Sequence, residues 1–434
     1  SYMAIEKPVI VACACPLAGH VGPVLSLVRG LLNRGYEVTF VTGNAFKEKV
    51  IEAGCTFVPL QGRADYHEYN LPEIAPGLLT IPPGLEQTGY SMNEIFVKAI
   101  PEQYDALQTA LKQVEAENKS AVVIGETMFL GVHPISLGAP GLKPQGVITL
   151  GTIPCMLKAE KAPGVPSLEP MIDTLVRQQV FQPGTDSEKE IMKTLGATKE
   201  PEFLLENIYS SPDRFLQLCP PSLEFHLTSP PPGFSFAGSA PHVKSAGLAT
   251  PPHLPSWWPD VLSAKRLIVV TQGTAAINYE DLLIPALQAF ADEEDTLVVG
   301  ILGVKGASLP DSVKVPANAR IVDYFPYDEL LPHASVFIYN GGYGGLQHSL
   351  SHGVPVIIGG GMLVDKPAVA SRAVWAGVGY DLQTLQATSE LVSTAVKEVL
   401  ATPSYHEKAM AVKKELEKYK SLDILESAIS ELAS

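Results

Sequence analysis

Two doubly wound parallel α/β domains, facing each other across a ligand cleft, are the architecture that this chain predicts. Three observations carry the expectation: a β-turn-α-β opening over residues 8–42, a proline-dense stretch past the middle, and a second β-α-β series after it. At 434 residues the chain exceeds the size at which one core stops growing, so two domains of about 200 residues each are expected.

The run Pro8-Val9-Ile10-Val11-Ala12-Cys13-Ala14 is continuously apolar, the mark of a strand covered on both faces. The turn Pro16-Leu17-Ala18-Gly19-His20 follows, then a helical period over 24–33 and a strand over 37–42. With right-handed crossovers that order makes a doubly wound sheet. Further strands are predicted over 56–60, 121–124 and 146–150, while 62–94 and 152–213 read as long irregular stretches. Proline then becomes dense from Cys219 to Pro259, which marks a stiff connector. The second series predicts strands over 266–271, 296–302, 320–322, 336–339 and 355–358. Apolar residues at helical spacing from Met410 to Leu432 predict a terminal helix. The expected division is 1–240 for the first domain, 241–262 for a linker, 263–404 for the second domain, and 405–434 for a helix returning toward the first.

Hydrophobic residues make up 46% and charged residues 18%, as in a folded globular enzyme. A net charge of −15 disfavours nucleic acid and anionic membrane surfaces as partners. An anionic ligand must then be held locally, by backbone amides and helix termini. The five cysteines are scattered without zinc or disulfide spacing, no apolar run reaches the roughly 18–20 residues that cross a bilayer, and Ser1-Tyr2-Met3 does not read as a secretory leader. A cytoplasmic location is expected.

The densest chemical signal is Tyr339-Asn340-Gly341-Gly342-Tyr343-Gly344-Gly345-Leu346-Gln347-His348, between a buried strand and a helix. Glycines there admit a ligand close to the backbone, and the free amides of a helix N-terminus favour an anion such as a diphosphate. A turn that merely permits close packing is the plainer alternative. The spacing is neither that of a dinucleotide fold nor that of a P-loop.

This turn, with Asp323-Tyr324-Phe325-Pro326-Tyr327 before it and His352-Gly353-Val354-Pro355 and Asp365-Lys366-Pro367 after it, resembles the donor-binding signature of inverting UDP-glycosyltransferases of the GT-B fold. The likeness is to their macrolide-type bacterial and fungal branch. Gly19-His20-Val21-Gly22-Pro23 resembles the family's Gly-His-x-x-Pro turn, so the resemblance spans the chain.

The resemblance implies His20 as catalytic base and Glu126, one methylene longer than the family's Asp, as its carboxylate partner. For the donor it implies Tyr324 stacking on uracil and Phe325 touching the base through its backbone. Gly273 and Thr274 fall at the β-phosphate, and Gly342, Tyr343, Gly344 and Gly345 at the diphosphate. Asn340 stands at the family's first-position His. His348 takes the place of a ribose-binding Glu, Asp365 matches a sugar-binding carboxylate, and Lys366 replaces a Gln. The co-substrate implied is a UDP-sugar, UDP-glucose first, with no resident cofactor and no metal; His348 of the His-x-x-x-His pair is assigned to ribose. A small hydroxyl-bearing acceptor, aromatic or polyketide-like, is expected among N-terminal aromatics including Tyr66, Tyr90, Phe96, Phe129 and Phe181. A UDP-sugar epimerase and a nucleotide-sugar sensor are the rival readings, and the oligomeric state is not legible.

Overall fold

In the computed structural model, which describes residues 6–160, 174–242, 253–360 and 366–434, thirteen strands form two sheets. The first holds β1 (Val9–Cys13), β2 (Val38–Thr42), β3 (Thr56–Pro59), β4 (Ala121–Glu126), β5 (Gly146–Gly151), β6 (Arg214–Gln217) and β7 (Phe234–Phe236). Their order is β3-β2-β1-β4-β5-β6-β7, and every pairing is parallel. The second holds β8 (Arg266–Thr271), β9 (Thr296–Ile301), β10 (Ala319–Val322), β11 (Val336–Tyr339), β12 (Val356–Ile358) and β13 (Gly379–Asp381), ordered β10-β9-β8-β11-β12-β13 and also parallel. Strands β1, β4 and β5 are buried along their whole length, as continuous apolar runs require when helices cover both faces.

Each sheet reverses its strand order beside its first strand, between β1 and β4 and between β8 and β11. Crossovers on either side of such a point leave in opposite directions, which opens a crevice at the carboxyl ends of the two strands. The molecule therefore has two crevices, one per sheet.

Three expectations need correction. The stretches 62–94 and 152–213 are not wholly irregular: Leu71–Ile74 and Leu85–Ser91 are helices in the first, and in the second Thr174–Thr194 is a 21-residue helix and Leu204–Ser210 another. Pro183 inside the longer one breaks the sequence signal, although Phe181 and Met192 are core residues. The proline-dense region is not one connector either. It contains β7, a three-residue edge strand where proline neighbours cost no ladder bonds, and its far end is the helix Trp258–Ser263, whose Val261 joins the second domain's core. The tail is two helices, Pro403–Glu417 and Ser421–Ala433. Ala409, Val412 and Leu416 of the first pack into the second domain, and only the next helix returns, with Leu425, Ala428 and Ile429 in the core around β1.

Candidate active site

The helix Ala18–Asn33 follows β1 and carries His20 in its first turn, while β4 ends on Glu126 across the switch point. The two side chains meet. His20 Nδ1 lies 2.7 Å from Glu126 Oε2, with His20 9% exposed and Glu126 fully buried. Glu126 also accepts from the backbone N–H groups of Cys15 (3.1 Å) and Met128 (2.9 Å) and from the Thr152 hydroxyl (3.0 Å). Burial pushes its carboxyl up, but the His20 imidazole and the backbone donors outweigh that and hold it below the ordinary range. A standing carboxylate at Nδ1 keeps the ring proton on that nitrogen.

At the second switch point Gly273 and Thr274 follow β8, and Asn340 and Gly341 follow β11. Gly341 has φ +92°, a left-handed conformation that favours glycine, and turns the chain into the helix Tyr343–Ser351. A Cβ added at Gly342 or Gly344 would meet open space, whereas at Gly345 it would stand 2.7 Å from the Tyr339 ring. Gly344 lines the cavity beside the domain seam, Gly342 has open space next to it, and Gly345 is there for packing. Amides at a helix start of this kind suit an anion. Asn340 is buried and donates to the Gln272 carbonyl, so its side chain ties the two turns together.

Tyr324 is 53% exposed and offers a face for stacking, with the Lys305 ammonium 5.5 Å from its ring centre. Phe325 is buried against Trp257 and Trp258. Lys366 is buried, its stem near Gly341. Asp365 lies outside the described residues.

The domains meet along a polar seam. Gln217 Nε2 donates to the Tyr343 hydroxyl (3.0 Å) and Gln347 Nε2 to the Leu218 carbonyl (2.7 Å). Arg372 and Glu224 form a buried ion pair at 2.7 Å, and Arg372 also donates to the Cys155 carbonyl. Beside the seam a cavity of about 250 Å³ is lined by Gly22 and Pro23 of the His20 turn, by Thr152, and by Tyr343, Gly344 and His348 of the helix Tyr343–Ser351. One space thus touches both motifs.

His348 lines this cavity and is engaged on both sides. Its Nε2 lies 2.7 Å from Asp328 Oδ1, and its ring stacks on His242 with centroids 3.9 Å apart. His352 Nε2 reaches the same Asp328 oxygen at 2.8 Å. The hydrogen bond to His348 holds the Asp328 carboxyl well below its ordinary range, against burial and with His352 assisting. Burial, then the neighbouring His348, pushes His242 down to about 3. Sequence reasoning missed Asp328, His242 and Thr152. Thr152, just past a strand end at the sheet's carboxyl edge, was the one with a positional signal.

The acceptor aromatics are mostly core. Phe129 is 0% and Tyr66 and Phe181 are 1% exposed, so these three do not line an open pocket. Phe181 lies in the helix Thr174–Thr194 and Phe129 just past β4, and their rings pack those segments onto the domain. Tyr90 is half-buried, its hydroxyl accepting from the Gly77 N–H at 2.9 Å. Phe96 stands by His20, its ring centre 6.2 Å from that of the imidazole.

Two such domains with a cleft between their switch points are the architecture of GT-B glycosyltransferases. The crystal structure of the glycosyltransferase SnogD from Streptomyces nogalater has a TM-score of 0.68 at 19% identity, covering 99% of this chain and 100% of that one. The kitacinnamycin glycotransferase has a TM-score of 0.67 at 20% identity over 97% and 99%. Residues 10–135 match the glycosyltransferase family 28 N-terminal domain, and residues 287–421 the erythromycin biosynthesis protein CIII-like C-terminal domain. UDP-glucosyltransferase A1 of Starmerella bombicola is 48% identical over 99% of this chain and 93% of its own length. UDP-glycosyltransferase 2 of Phaeomoniella chlamydospora is 35% identical over 99% and 96%. The chain belongs to the UDP-glycosyltransferase family and is a UDP-dependent glycosyltransferase that takes a UDP-sugar as co-substrate. Among the described residues no helix is long and apolar enough to cross a membrane.

Proposed function

We propose that this enzyme transfers glucose from UDP-glucose, with inversion, to a hydroxyl of a small acceptor, and that His20 is the general base. The observation that carries the reading is the 2.7 Å contact between His20 Nδ1 and Glu126 at one switch point, with Gly22 and Pro23 of the same helix turn lining a cavity that Gly344 of the other lines too. With the proton kept on Nδ1, the base role falls to Nε2. It takes the acceptor's proton as the acceptor oxygen attacks the anomeric carbon from the face opposite UDP, which inverts that centre. The bond to UDP breaks, and the charge gathering on the diphosphate is met by the amides of the Gly342–Gly344 turn.

Tyr324 is assigned to the uracil, Thr274 to the β-phosphate and Asp365 to the sugar hydroxyls. Glucose is favoured by the names of the similar proteins. An aromatic or polyketide-like acceptor rests on Phe96 beside the base. A cytoplasmic location is in keeping with five buried cysteines, all free thiols. The epimerase and sensor readings gain no supporting observation.

His20→Ala tests the assignment. Turnover of UDP-glucose with a phenolic acceptor is expected to fall at least about a hundredfold, the scale for losing a general base, while UDP affinity by calorimetry is kept. A folded variant that loses UDP affinity together with activity would show His20 to be a donor residue.

A further inference from the structure

A second group of ionisable side chains stands beside the cleft, away from the dyad. His348 lies in the helix Tyr343–Ser351 and His352 caps its C-terminus, one turn later, so their rings share a face. Asp328 comes from the short helix Tyr327–Leu330. Both Nε2 atoms converge on one oxygen of Asp328, at 2.7 and 2.8 Å, and the ligand atoms of the three side chains all lie within 4.8 Å of one another. These side chains are 17%, 22% and 21% exposed, so an ion has a way in and a solvent-facing side.

We propose that Asp328, His348 and His352 form a binding site for one divalent transition-metal ion of the zinc type. Two imidazole nitrogens and a carboxylate oxygen are a donor set for Zn²⁺, Co²⁺ or Ni²⁺, whereas Mg²⁺ and Ca²⁺ select oxygen alone. A hydrogen-bonded Asp–His pair accounts for one imidazole on the carboxylate; the metal accounts for the second one arriving at the same oxygen from one helix turn away. Bonds of about 2.0–2.2 Å to a tetrahedral ion keep ligand atoms roughly 3.4 Å apart, so each nitrogen–oxygen spacing opens by roughly 0.6 Å, within reach of side-chain rotation. Each neutral ring then carries its proton on Nδ1 and offers the Nε2 lone pair, and water takes the fourth position. The ion fastens Tyr327–Leu330 to the donor helix and takes no part in moving the sugar.

The test is equilibrium dialysis of the whole chain, stripped by a chelator, against Zn²⁺ at neutral pH, with Co²⁺ as the spectroscopic probe. One equivalent is expected at micromolar free Zn²⁺, and Co²⁺ is expected to give the strong visible bands of a four-coordinate site. Asp328→Asn and His352→Gln are each expected to weaken binding at least about tenfold, the lower end of what even outer-shell losses cost. His352→Gln keeps an N–H to meet Asp328, so it carries the test if Asp328→Asn fails to fold. No stoichiometric binding to the wild-type chain overturns the proposal, as does a bound equivalent whose affinity and Co²⁺ spectrum survive His352→Gln.

Discussion

At the β1/β4 crevice the chain commits buried side chains: a glutamate with no exposure, a histidine on it at 2.7 Å, and a threonine and two backbone amides holding the glutamate. At the β8/β11 crevice it commits backbone, with Gly341 turning the chain and Gly342 and Gly344 leaving open space before a helix N-terminus. The topology of the two sheets is the same at both points. What differs is the task proposed for each. Moving a proton needs a titratable group with a fixed tautomer, whereas holding a diphosphate needs N–H donors and no charge of its own. A chain of net charge −15 can thus bind a dianion without a basic surface. The fold supplies crevices, and the residues placed in them supply the chemistry.

If that division of labour is right, damage to the first crevice leaves nucleotide binding alone, and the largest effect is on turnover. Glu126→Gln is expected to lower kcat by roughly a hundredfold or more with UDP affinity unchanged, because the amide no longer keeps the proton on Nδ1. It also sets an NH₂ against a backbone donor, costing about 1–3 kcal/mol, so thermal melting is measured alongside. Undiminished kcat would remove Glu126 from the mechanism.

A middling effect separates two adjacent glycines within the second crevice. Gly345→Ala drives a methyl toward the Tyr339 ring, 2.7 Å away, and is expected to cost about 1–3 kcal/mol of stability, as overpacking does. Gly344→Ala meets no neighbour, so its melting temperature should hold while calorimetry finds UDP weakened. Equal UDP affinity in wild type and Gly344→Ala would mean that the nucleotide does not approach this backbone.

The smallest effect distinguishes the crevices along the pH axis. His242 is held neutral down to about 3, so the unfolded chain, at about 6.5, takes the proton first. Stability from this source is intact above about pH 6.5 and declines as the pH falls below it. Glu126 has a lowered value, so its contribution is present above the ordinary carboxylate range and is lost only as the pH falls through the lower folded value. Of these two groups only His242 changes its contribution between about pH 7 and pH 5, and His242→Phe should flatten the fall in melting temperature there. An unchanged slope would show that His242 is protonated in the fold.

Much of this was legible in the residue order. The apolar runs of β1, β8 and β11 announce buried parallel strands by composition alone, because a strand covered on both faces has no polar side to show. His20 and the glycine turn could be found because each sits directly after such a run, where the chain must leave the sheet. The helix Thr174–Thr194 was hidden, since Pro183 disrupts a signal that packing of Phe181 and Met192 overrides. Aromatic content on the N-terminal loops misled for a related reason: a ring that pins a loop and a ring that lines a pocket have the same sequence signature, and burial tells them apart.

By itself, then, the sequence determined local things: ten of the thirteen strands, with β6, β7 and β13 left unread, which turns carry histidine or glycine, and, through likeness to a family, what chemistry is proposed for those turns. Only the tertiary structure decided the pairings across distance. Glu126 meets His20 over 106 positions, Arg372 meets Glu224 over 148, and His242 stacks on His348 from a segment beyond the first sheet. Periodicity decays within an element, so nothing local encodes which strand end will face which. That is fixed by sheet order and crossover hand, which set the crevices, and by close packing, which decides whether a side chain reaches into them.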